Sequence, residues 1–333
     1  MCHLTCGERV RWHAFSKGYS YMKNPTVDVI IPTYKPDPSF RTVLERLSDQ
    51  YYAPSHILII NTDEKYWDAQ LTEGIENAEV YQIRPEEFDH AATRDMGADL
   101  SDADVIVFMT QDAVPHDRRL IGNLIRPLTE DPLIKISYAR QLPKPGCRIP
   151  EGCVRSFNYP HESHVRRLED LKTYGIKTFF CSDVCAAYDR RTFHEMGGFA
   201  KPCIFNEDSI CAGKIITLGY AVAYAADARV LHSHNYTNMQ QFHRNFDNGV
   251  SHAMHPEIFR SVASEGEGVK LVQYVTGSLR KMNRGYLIPG FYIQCFFRYA
   301  GFKLGEHYAH LPDWMVMACT GNRRFWTWRD TED

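Results

Sequence analysis

The first residue of this sequence that is placed to do chemistry is an aspartate at the end of a long apolar run. The run lies in residues 104–113 (DVIVFMTQDA) and turns polar just before Asp112. It is typical of a strand buried on both faces of a parallel sheet, and ligands of such sheets bind beyond the carboxyl ends of the strands. Asp112 could therefore hold a hard cation that bridges a substrate diphosphate. The alternative is an ordinary turn acid.

Polar residues follow two other apolar runs in the same way. The three endings are Pro32-Thr33-Tyr34, Asn61-Thr62-Asp63 and Thr110-Gln111-Asp112. Because the carboxyl ends of parallel strands share one rim, we expect these endings to gather there. An aromatic ring that can stack on a base, with amide and carboxylate groups that can read the base edge and the ribose, indicates a nucleotide pocket.

The elements that must position these residues alternate between strands and helices. Apolar runs predict strands at 27–32, 57–60, 80–83, 104–113, 134–138 and 221–231. Helical spacing or helix-stop signals predict helices at 40–47, 91–100, 118–128, 165–171, 190–196 and 207–218. The alternation implies right-handed crossovers and one mostly parallel α/β sheet flanked by helices. We expect a loose extension at 1–23, an α/β domain at 24–235 and a helical region at 236–333.

Composition excludes several classes of protein. The net charge of −3 argues against a nucleic-acid binder, although residues 269–329 hold nine Lys and Arg against two acidic residues. The ten cysteines contain no C-x2-C spacing and the N-terminus has no apolar signal segment, which predicts a reduced, cytoplasmic chain. No apolar run reaches the roughly 18 residues that span a bilayer.

The motifs, taken in order, resemble a known family. P-T-Y, T-R-D, an Asp-bearing strand end, G-G-F, E-D and H-x-H follow one another over residues 27–234, as in family 2 glycosyltransferases of the GT-A fold. Segments 88–94 (FDHAATR), 110–113 (TQDA) and 232–237 (HSHNYT), with the tail at 301–326, are similar to the rhamnosyltransferase branch. The resemblance implies a Rossmann-like GT-A sheet and transfer of a sugar from a nucleotide donor with inversion.

The resemblance also implies a donor site near the N-terminal strand ends. The donor-binding residues would be Thr33, Tyr34, Asn61, Thr62, Asp63, His90, Arg94 and Gln111. Many relatives have Asp at the position of Asn61, but an Asn could still pair with the imide of thymine or uracil. Arg94 would reach the diphosphate, because its fork of donors suits phosphate oxygens. The alternative for Arg94 is a surface salt bridge.

A divalent cation, Mg²⁺ or Mn²⁺, is implied at Asp112. The usual D-x-D of the family is Thr110-Gln111-Asp112 here, so the first carboxylate is missing. His234 is expected to supply a second ligand. His232 and His234 would point to the same side of an extended run, and the alternative is that either is a hydrogen-bonded core histidine.

The resemblance implies that Asp208 is the general base. It would take the proton from the acceptor hydroxyl, while the cation and Arg94 neutralise the leaving nucleoside diphosphate. Asp208 also stands where a helix begins, so helix capping is the alternative. Asp183 and Glu207 are weaker candidates for binding the acceptor, and Asp183 could instead be a turn residue.

The C-terminal region mixes aromatic and basic residues around a broken apolar segment at 286–297. This pattern suits an interfacial helix on an anionic membrane. The alternatives are a helical subdomain packed on the core and a homodimer face. Lipid-linked acceptors, which the resemblance implies, favour the inner face of the plasma membrane.

The favoured function is transfer of L-rhamnose from dTDP-β-L-rhamnose to a saccharide acceptor in cell-wall or capsular polysaccharide synthesis. One alternative is the same chemistry with a UDP-hexose donor. The other is a catalytically silent nucleotide-sugar-binding protein, which the incomplete D-x-D keeps open.

Overall fold

A computed structural model describes residues 22–259 and 265–329 of the chain. The loose extension predicted at 1–23 lies outside this part except for its last two residues. The α/β core runs to the end of the last strand at Leu231, and the C-terminal helices begin at Asn238. The expected division at residue 235 falls in the connection between them.

A twisted sheet forms the centre of the fold. Its strands are β1 (Val27–Tyr34), β2 (His56–Thr62), β3 (Ala78–Ile83), β4 (Val105–Met109), β5 (Val114–Pro115), β6 (Ile134–Leu142), β7 (His164–Arg166), β8 (Cys185–Asp189) and β9 (Ala221–Leu231). Their order is β3-β2-β1-β4-β8-β6-β9-β5, with β7 also paired to β9. Every residue of β4 is buried, which confirms the strand predicted just before Asp112.

The two halves of the sheet differ in strand direction. The pairs β3–β2, β2–β1 and β1–β4 are parallel, as predicted. Strand β8 runs antiparallel to both β4 and β6, and β5 and β7 run antiparallel to β9. Strands β6 and β9 of this half are parallel to each other. The mostly parallel sheet that strand–helix alternation implied is therefore a mixed sheet, in which β8 lies antiparallel between β4 and β6.

Helices cover both faces of the sheet and form the C-terminal region. They are α1 (Ser39–Ser48), α2 (His90–Leu100), α3 (Leu120–Glu130), α4 (Ile149–Asn158), α5 (Leu171–Tyr174), α6 (Arg190–Glu195), α7 (Glu207–Thr217), α8 (Asn238–Met254), α9 (Pro256–Phe259), α10 (Glu265–Lys281), α11 (Ile288–Glu306), α12 (Asp313–Cys319) and α13 (Arg323–Arg329). One apolar cluster lies on each face of the sheet, built by α1 and α3 on one side and by α2, α6 and α7 on the other.

The helix predicted at 165–171 is wrong. Val165 lies in strand β7, where it pairs with Ala223, and only a short 3-10 turn and the four-residue α5 follow. Val165 and Leu168 are both exposed and belong to two different elements. Their helical spacing therefore does not mark the buried face of one helix. None of the helices in the described residues is long and apolar enough to cross a membrane.

Helix α11 packs so closely on α8 that glycine is required. A Cβ atom added at Gly301 would collide with the carbonyl oxygen of Phe242, and one at Gly305 with that of Phe246. Gly249 of α8 faces the backbone of α11 in the same way. The two helices therefore approach backbone to backbone, which fixes them against each other within the C-terminal region.

We expect Gly305→Ala to lower the free energy of unfolding by about 1–3 kcal/mol, because the added methyl overpacks a helix contact. Urea unfolding followed by circular dichroism measures this loss. Gly290→Ala in the same helix is the matched control, since a Cβ there meets no neighbouring atom. The control should be neutral or stabilising by up to about 1 kcal/mol. Equal unfolding midpoints for both variants would contradict this packing.

Candidate active site

The three polar strand endings lie on one rim of the sheet, as predicted. Thr33 is the register partner of Asn61 across β1 and β2, and its hydroxyl donates to the Asn61 Oδ1 atom at 3.0 Å. Gln111, after β4, accepts from the backbone N–H of Tyr34 at 2.9 Å and donates to its carbonyl at 3.2 Å. These bonds tie the ends of three neighbouring strands together.

The residues expected to contact the donor base differ in exposure. Tyr34 is 46% exposed, and its ring meets the edge of Tyr66 with centroids 5.8 Å apart. Thr33 and Thr62 are buried, and so is Asn61, whose amide donates to the Gln82 side chain at 2.7 Å. Tyr34 is thus free to stack on a base, whereas the three buried residues lie behind it. Their donor-binding roles stay predictions.

Asp63 and His90 flank the same rim. The Asp63 carboxylate forms an ion pair with Lys65 at 2.5 Å, and its backbone N–H donates to Ile83. His90 is the first residue of α2, which Asp89 caps by accepting from two backbone N–H groups. The His90 ring is exposed and packs edge-on against Phe88. Both residues remain predicted donor contacts.

One carboxylate and two imidazoles converge beyond the end of β4. The Asp112 Oδ1 atom lies 3.4 Å from the Nε2 atom of His232, and its Oδ2 atom lies 3.4 Å from that of His234. The two Nε2 atoms are 3.0 Å apart, and all three groups offer ligand atoms within 4.8 Å of one another. Strand β9 ends at Leu231, so the extended residues after it carry both histidines to the rim.

Asp112, His232 and His234 form a triad whose ligand atoms fit a divalent cation. The Nδ1 atom of His232 lies 2.9 Å from the Gln141 side-chain oxygen, so Nδ1 carries the proton and Nε2 presents a lone pair to Asp112. Burial lowers the pKa of His232, and it lowers the pKa of His234 to about 4. Both rings are therefore neutral near pH 7, which is the form that binds metal.

Lys144 adds positive charge to the same place. Its ammonium group lies 3.2 Å from the Asp112 Oδ2 atom, and its backbone N–H donates to Ser233 between the two histidines. Burial alone would raise the pKa of Asp112, but the positive charge of Lys144 acts in the opposite direction, and the pKa lies below its usual range. Asp112 is thus ionised across the physiological range.

Three acidic side chains gather at the start of α7. The Asp208 Oδ2 atom accepts from the backbone N–H of Asp183 at 3.2 Å, and its Oδ1 atom accepts from that of Ser209 at 2.6 Å. Asn206, in the left-handed region at φ 65°, is the N-cap residue of α7. Asp208 does not occupy the cap, and it is partly exposed. Each carboxylate oxygen keeps a lone pair for a ligand.

The environments of these acids push their pKa values apart. Burial and the charge of Glu207 raise the pKa of Asp208 to about 6. Burial and the charge of Asp208 raise the pKa of Asp183 well above its usual range. Burial also acts on Glu207, but Arg94 outweighs it and lowers the pKa. Separated pKa values of this kind mark acid–base assignments, and the raised pKa of Asp208 suits a general base near neutral pH.

Arg94 lies with the acids. Its Nη1 atom is 3.0 Å from Glu207, its Nε atom is 3.7 Å from Asp183, and its side chain is buried. The surface salt bridge considered for Arg94 is wrong, because Arg94 and Asp183 are buried and the Glu207 side chain is only 12% exposed. Contact with the donor diphosphate stays a prediction, and in this conformation the guanidinium positions Glu207.

A hydrogen-bonded path joins the acids to the triad. Gln141, near the end of β6, donates through its side-chain nitrogen to the Ser182 hydroxyl at 2.9 Å and accepts from His232. Ser182 precedes Asp183, whose backbone N–H holds Asp208. The triad and Asp208 are therefore linked through two side chains and one peptide unit.

Four residues at the site were not predicted from the sequence. They are Lys144, Gln141, Arg155 and Arg244. Arg244 in α8 lies over the rings of Phe205 and Tyr236, and Tyr236 stacks on His234 with centroids 4.9 Å apart. Arg244 could have been considered from the sequence, because it follows the H-x-H motif closely. Gln141 and Arg155 carried none, because a single Gln in a strand and a single Arg in a helix are ordinary.

Comparison with known proteins agrees with this geometry. The family model of glycosyl transferase family 2 matches residues 28–197. The chain is 38% identical to the O-antigen chain rhamnosyltransferase RfbN of Salmonella typhimurium, covering 86% of this chain and 91% of that protein. It is 34% identical to the O-antigen chain rhamnosyltransferase WbaN of Salmonella anatum with the same coverage.

Solved structures show the fold. A Pyrobaculum calidifontis mannosyltransferase, solved with GDP-Man and Mn²⁺, superposes with a TM-score of 0.58 at 14% identity, over 85% of this chain and 87% of that one. S. aureus TarS, solved with UDP-GlcNAc, has a TM-score of 0.50 at 12% identity, over 86% and 91%. The predicted GT-A fold is confirmed. The chain belongs to glycosyl transferase family 2, and within that family its sequence is similar to the O-antigen chain rhamnosyltransferases over most of its length.

Proposed function

We propose that the protein transfers L-rhamnose from dTDP-β-L-rhamnose, with inversion, to a lipid-linked saccharide during synthesis of an O-antigen-type polysaccharide. The observation that carries this proposal is the 38% identity with an O-antigen chain rhamnosyltransferase over 86% of the chain. The convergence of Asp112, His232 and His234, and the hydrogen-bonded path from His232 to the residue that holds Asp208, support the mechanism.

Asp112, His232 and His234 would hold a divalent cation. When bound, that cation would neutralise the charge that develops on the departing diphosphate. One carboxylate and two neutral imidazoles suit Mn²⁺ better than Mg²⁺, because Mg²⁺ prefers oxygen ligands throughout. His232 would then supply a ligand in addition to Asp112 and His234, although the first carboxylate of D-x-D is missing.

Asp208 would act on the acceptor. Its carboxylate takes the proton of the acceptor hydroxyl as that oxygen bonds to the anomeric carbon and the bond to the diphosphate breaks. Glu207, ionised beside Arg94, keeps the pKa of Asp208 raised and so strengthens it as a base. Lys144 pairs with Asp112 of the triad, and Arg244 lies over the ring of Tyr236. Both cations would attract the diphosphate.

The donor is tested by nucleotide release from purified protein. Supplied with Mn²⁺, a saccharide primer on a lipid carrier and one donor at a time, the protein should release dTDP from dTDP-β-L-rhamnose and little UDP from UDP-glucose, UDP-galactose or UDP-GlcNAc. Selective release of UDP would contradict the rhamnose donor. No release from any donor by folded protein would favour the silent binding protein.

The rate should depend on pH through Asp208. Because its pKa is raised to about 6 and only the ionised carboxylate accepts a proton, kcat should fall as pH drops through about 6. His234, with a pKa of about 4, does not titrate there. In Glu207→Gln the loss of a neighbouring negative charge should move this acidic limb to lower pH. A limb that stays in place would contradict the assignment of the limb to Asp208.

We propose that α11 and the turn before it rest on an anionic membrane. Five apolar or aromatic side chains there are each more than half exposed: Tyr286, Tyr292, Ile293, Phe296 and Tyr299. The exposed cations Arg280, Lys281 and Arg284 flank them, which suits an anionic leaflet.

Co-sedimentation with phosphatidylglycerol vesicles tests this surface. The double variant Tyr292→Ser, Phe296→Ser should bind at least about tenfold more weakly, because two rings no longer bury apolar area. Leu218→Ser, an equally exposed position in the sheet domain, is the control. Dimerisation that the double variant disrupts, with vesicle binding unchanged, would instead identify the face as a homodimer contact.

A further inference from the structure

A network of hydrogen-bonded side chains leads to His232 of the triad. Gln141 is almost fully buried, and its side-chain oxygen accepts from both Arg155 and the Nδ1 atom of His232. Its side-chain nitrogen donates to the hydroxyls of Tyr159 at 2.6 Å and Ser182 at 2.9 Å. All the hydrogen-bonding groups of this amide are therefore engaged.

Arg155 decides which way the Gln141 amide points. A guanidinium only donates hydrogen bonds, so the group that faces it must be the amide oxygen. A flipped amide would set its NH2 group against both Arg155 and the His232 Nδ1–H. Tyr159 and Ser182 reinforce the observed orientation, because their hydroxyls can accept from the amide nitrogen.

The orientation of Gln141 in turn selects the tautomer of His232. An acceptor oxygen 2.9 Å from Nδ1 requires that this nitrogen carries the proton. The Nε2 lone pair then faces Asp112 and His234. Partners that fix the tautomer of a histidine ligand in this way typically change metal affinity by about 10–100-fold when they are removed.

The chain continues to the C-terminal region. Arg155 forms an ion pair with Glu151 one helical turn earlier in α4, at 3.1 Å, and Glu151 also meets Arg298 of α11 at 3.5 Å. Two largely buried arginines thus share one carboxylate, and the second acceptor of Arg155 is Gln141. This arrangement anchors Arg155 firmly, because a buried cation requires all of its available partners.

We propose that Gln141 and Arg155 are positioning residues that hold His232 in its Nδ1–H tautomer and so present its Nε2 atom to the cation. The inference rests on the cation site of the proposed function and deepens it. Neither residue is among the three side chains that would hold the cation. Their effect on the cation would pass through the orientation of the His232 imidazole.

The test compares variants of the full chain by two readouts. The first is ¹⁵N NMR of the His232 side chain without metal, which reports the tautomer directly. The second is Mn²⁺ affinity by isothermal titration calorimetry. Gln141→Leu should lose the single Nδ1–H tautomer and weaken Mn²⁺ binding by about 10–100-fold. Gln141→Glu should keep both the tautomer and the affinity, because a carboxylate still accepts from Nδ1–H and Arg155.

Arg155→Met provides a second route to the same result. It should release the Gln141 amide, give a mixture of His232 tautomers and weaken Mn²⁺ binding in the same direction. Wild-type tautomer and affinity in both Gln141→Leu and Arg155→Met would overturn the proposal. If wild-type protein binds no Mn²⁺, the cation site fails, but the NMR comparison still decides whether the two residues fix the tautomer.

Discussion

Replacing Asp208 by asparagine is expected to lower kcat by about 10²–10⁴-fold, the usual range for loss of a general base. Asparagine preserves the shape of the side chain but cannot take the acceptor proton. Its single oxygen can still accept from the backbone N–H of Asp183, while the N–H of Ser209 loses its acceptor. Binding of dTDP should be unchanged, because Asp208 serves the acceptor. Single-turnover kinetics with a lipid-linked primer, alongside calorimetry with dTDP, measures the two effects separately.

Glu207→Gln is the matched control for this variant. Glu207 forms a buried ion pair with Arg94, so its loss leaves a buried cation short of a partner and should destabilise the fold by about 3 kcal/mol. Asp208→Asn should destabilise the fold less, by about 1 kcal/mol, because only one backbone N–H group loses its acceptor. If Asp208→Asn turned over at the wild-type rate, another group would have to be the base. The side chain would then be structural.

Replacing Asp112 by asparagine should weaken Mn²⁺ binding by at least about 100-fold, since even partners behind the ligands are worth about 10–100-fold. Activity at a fixed Mn²⁺ concentration should fall in parallel. The carboxylate is the sole anionic ligand of the triad, and the two imidazoles left behind carry no charge to attract the ion. Calorimetric titration of Mn²⁺ into the purified variant measures the loss.

Asp227→Asn is the control for this second variant. Asp227 is an exposed aspartate that pairs with Arg126 on the surface, and its replacement should change neither Mn²⁺ affinity nor activity. Excess Mn²⁺ should partly restore the activity of Asp112→Asn if the defect lies in cation binding. Full wild-type activity of Asp112→Asn at low Mn²⁺ would show that the cation is bound elsewhere or is not needed.

The sequence was most informative where local pattern and position coincide. A fully apolar β4 and a polar ending predicted both a central strand and the place of Asp112, because a buried parallel strand needs such a run. The extended H-x-H motif placed His232 and His234 on one side by the two-residue period of an extended chain. These relations are local, so one segment of sequence is enough to predict them.

Partnerships between distant residues could not be predicted in this way. Strand β8 (CAAYD) is short and rich in alanine. Its pattern does not predict an antiparallel strand between β4 and β6. Arg94 has a phosphate-binding residue type, yet tertiary packing set it between Asp183 and Glu207. The role of Gln141 depends on neighbours up to 91 residues away along the chain. Such contacts exist only after the fold has formed.

The most direct test is a crystal structure of Asp208→Asn soaked with dTDP-β-L-rhamnose and Mn²⁺, with anomalous diffraction used to locate the manganese. We expect one manganese peak bound by Asp112, His232, His234 and the donor diphosphate. The anomeric carbon should lie between that peak and position 208. A manganese peak away from these three side chains, or an anomeric carbon turned away from position 208, would contradict the proposed site.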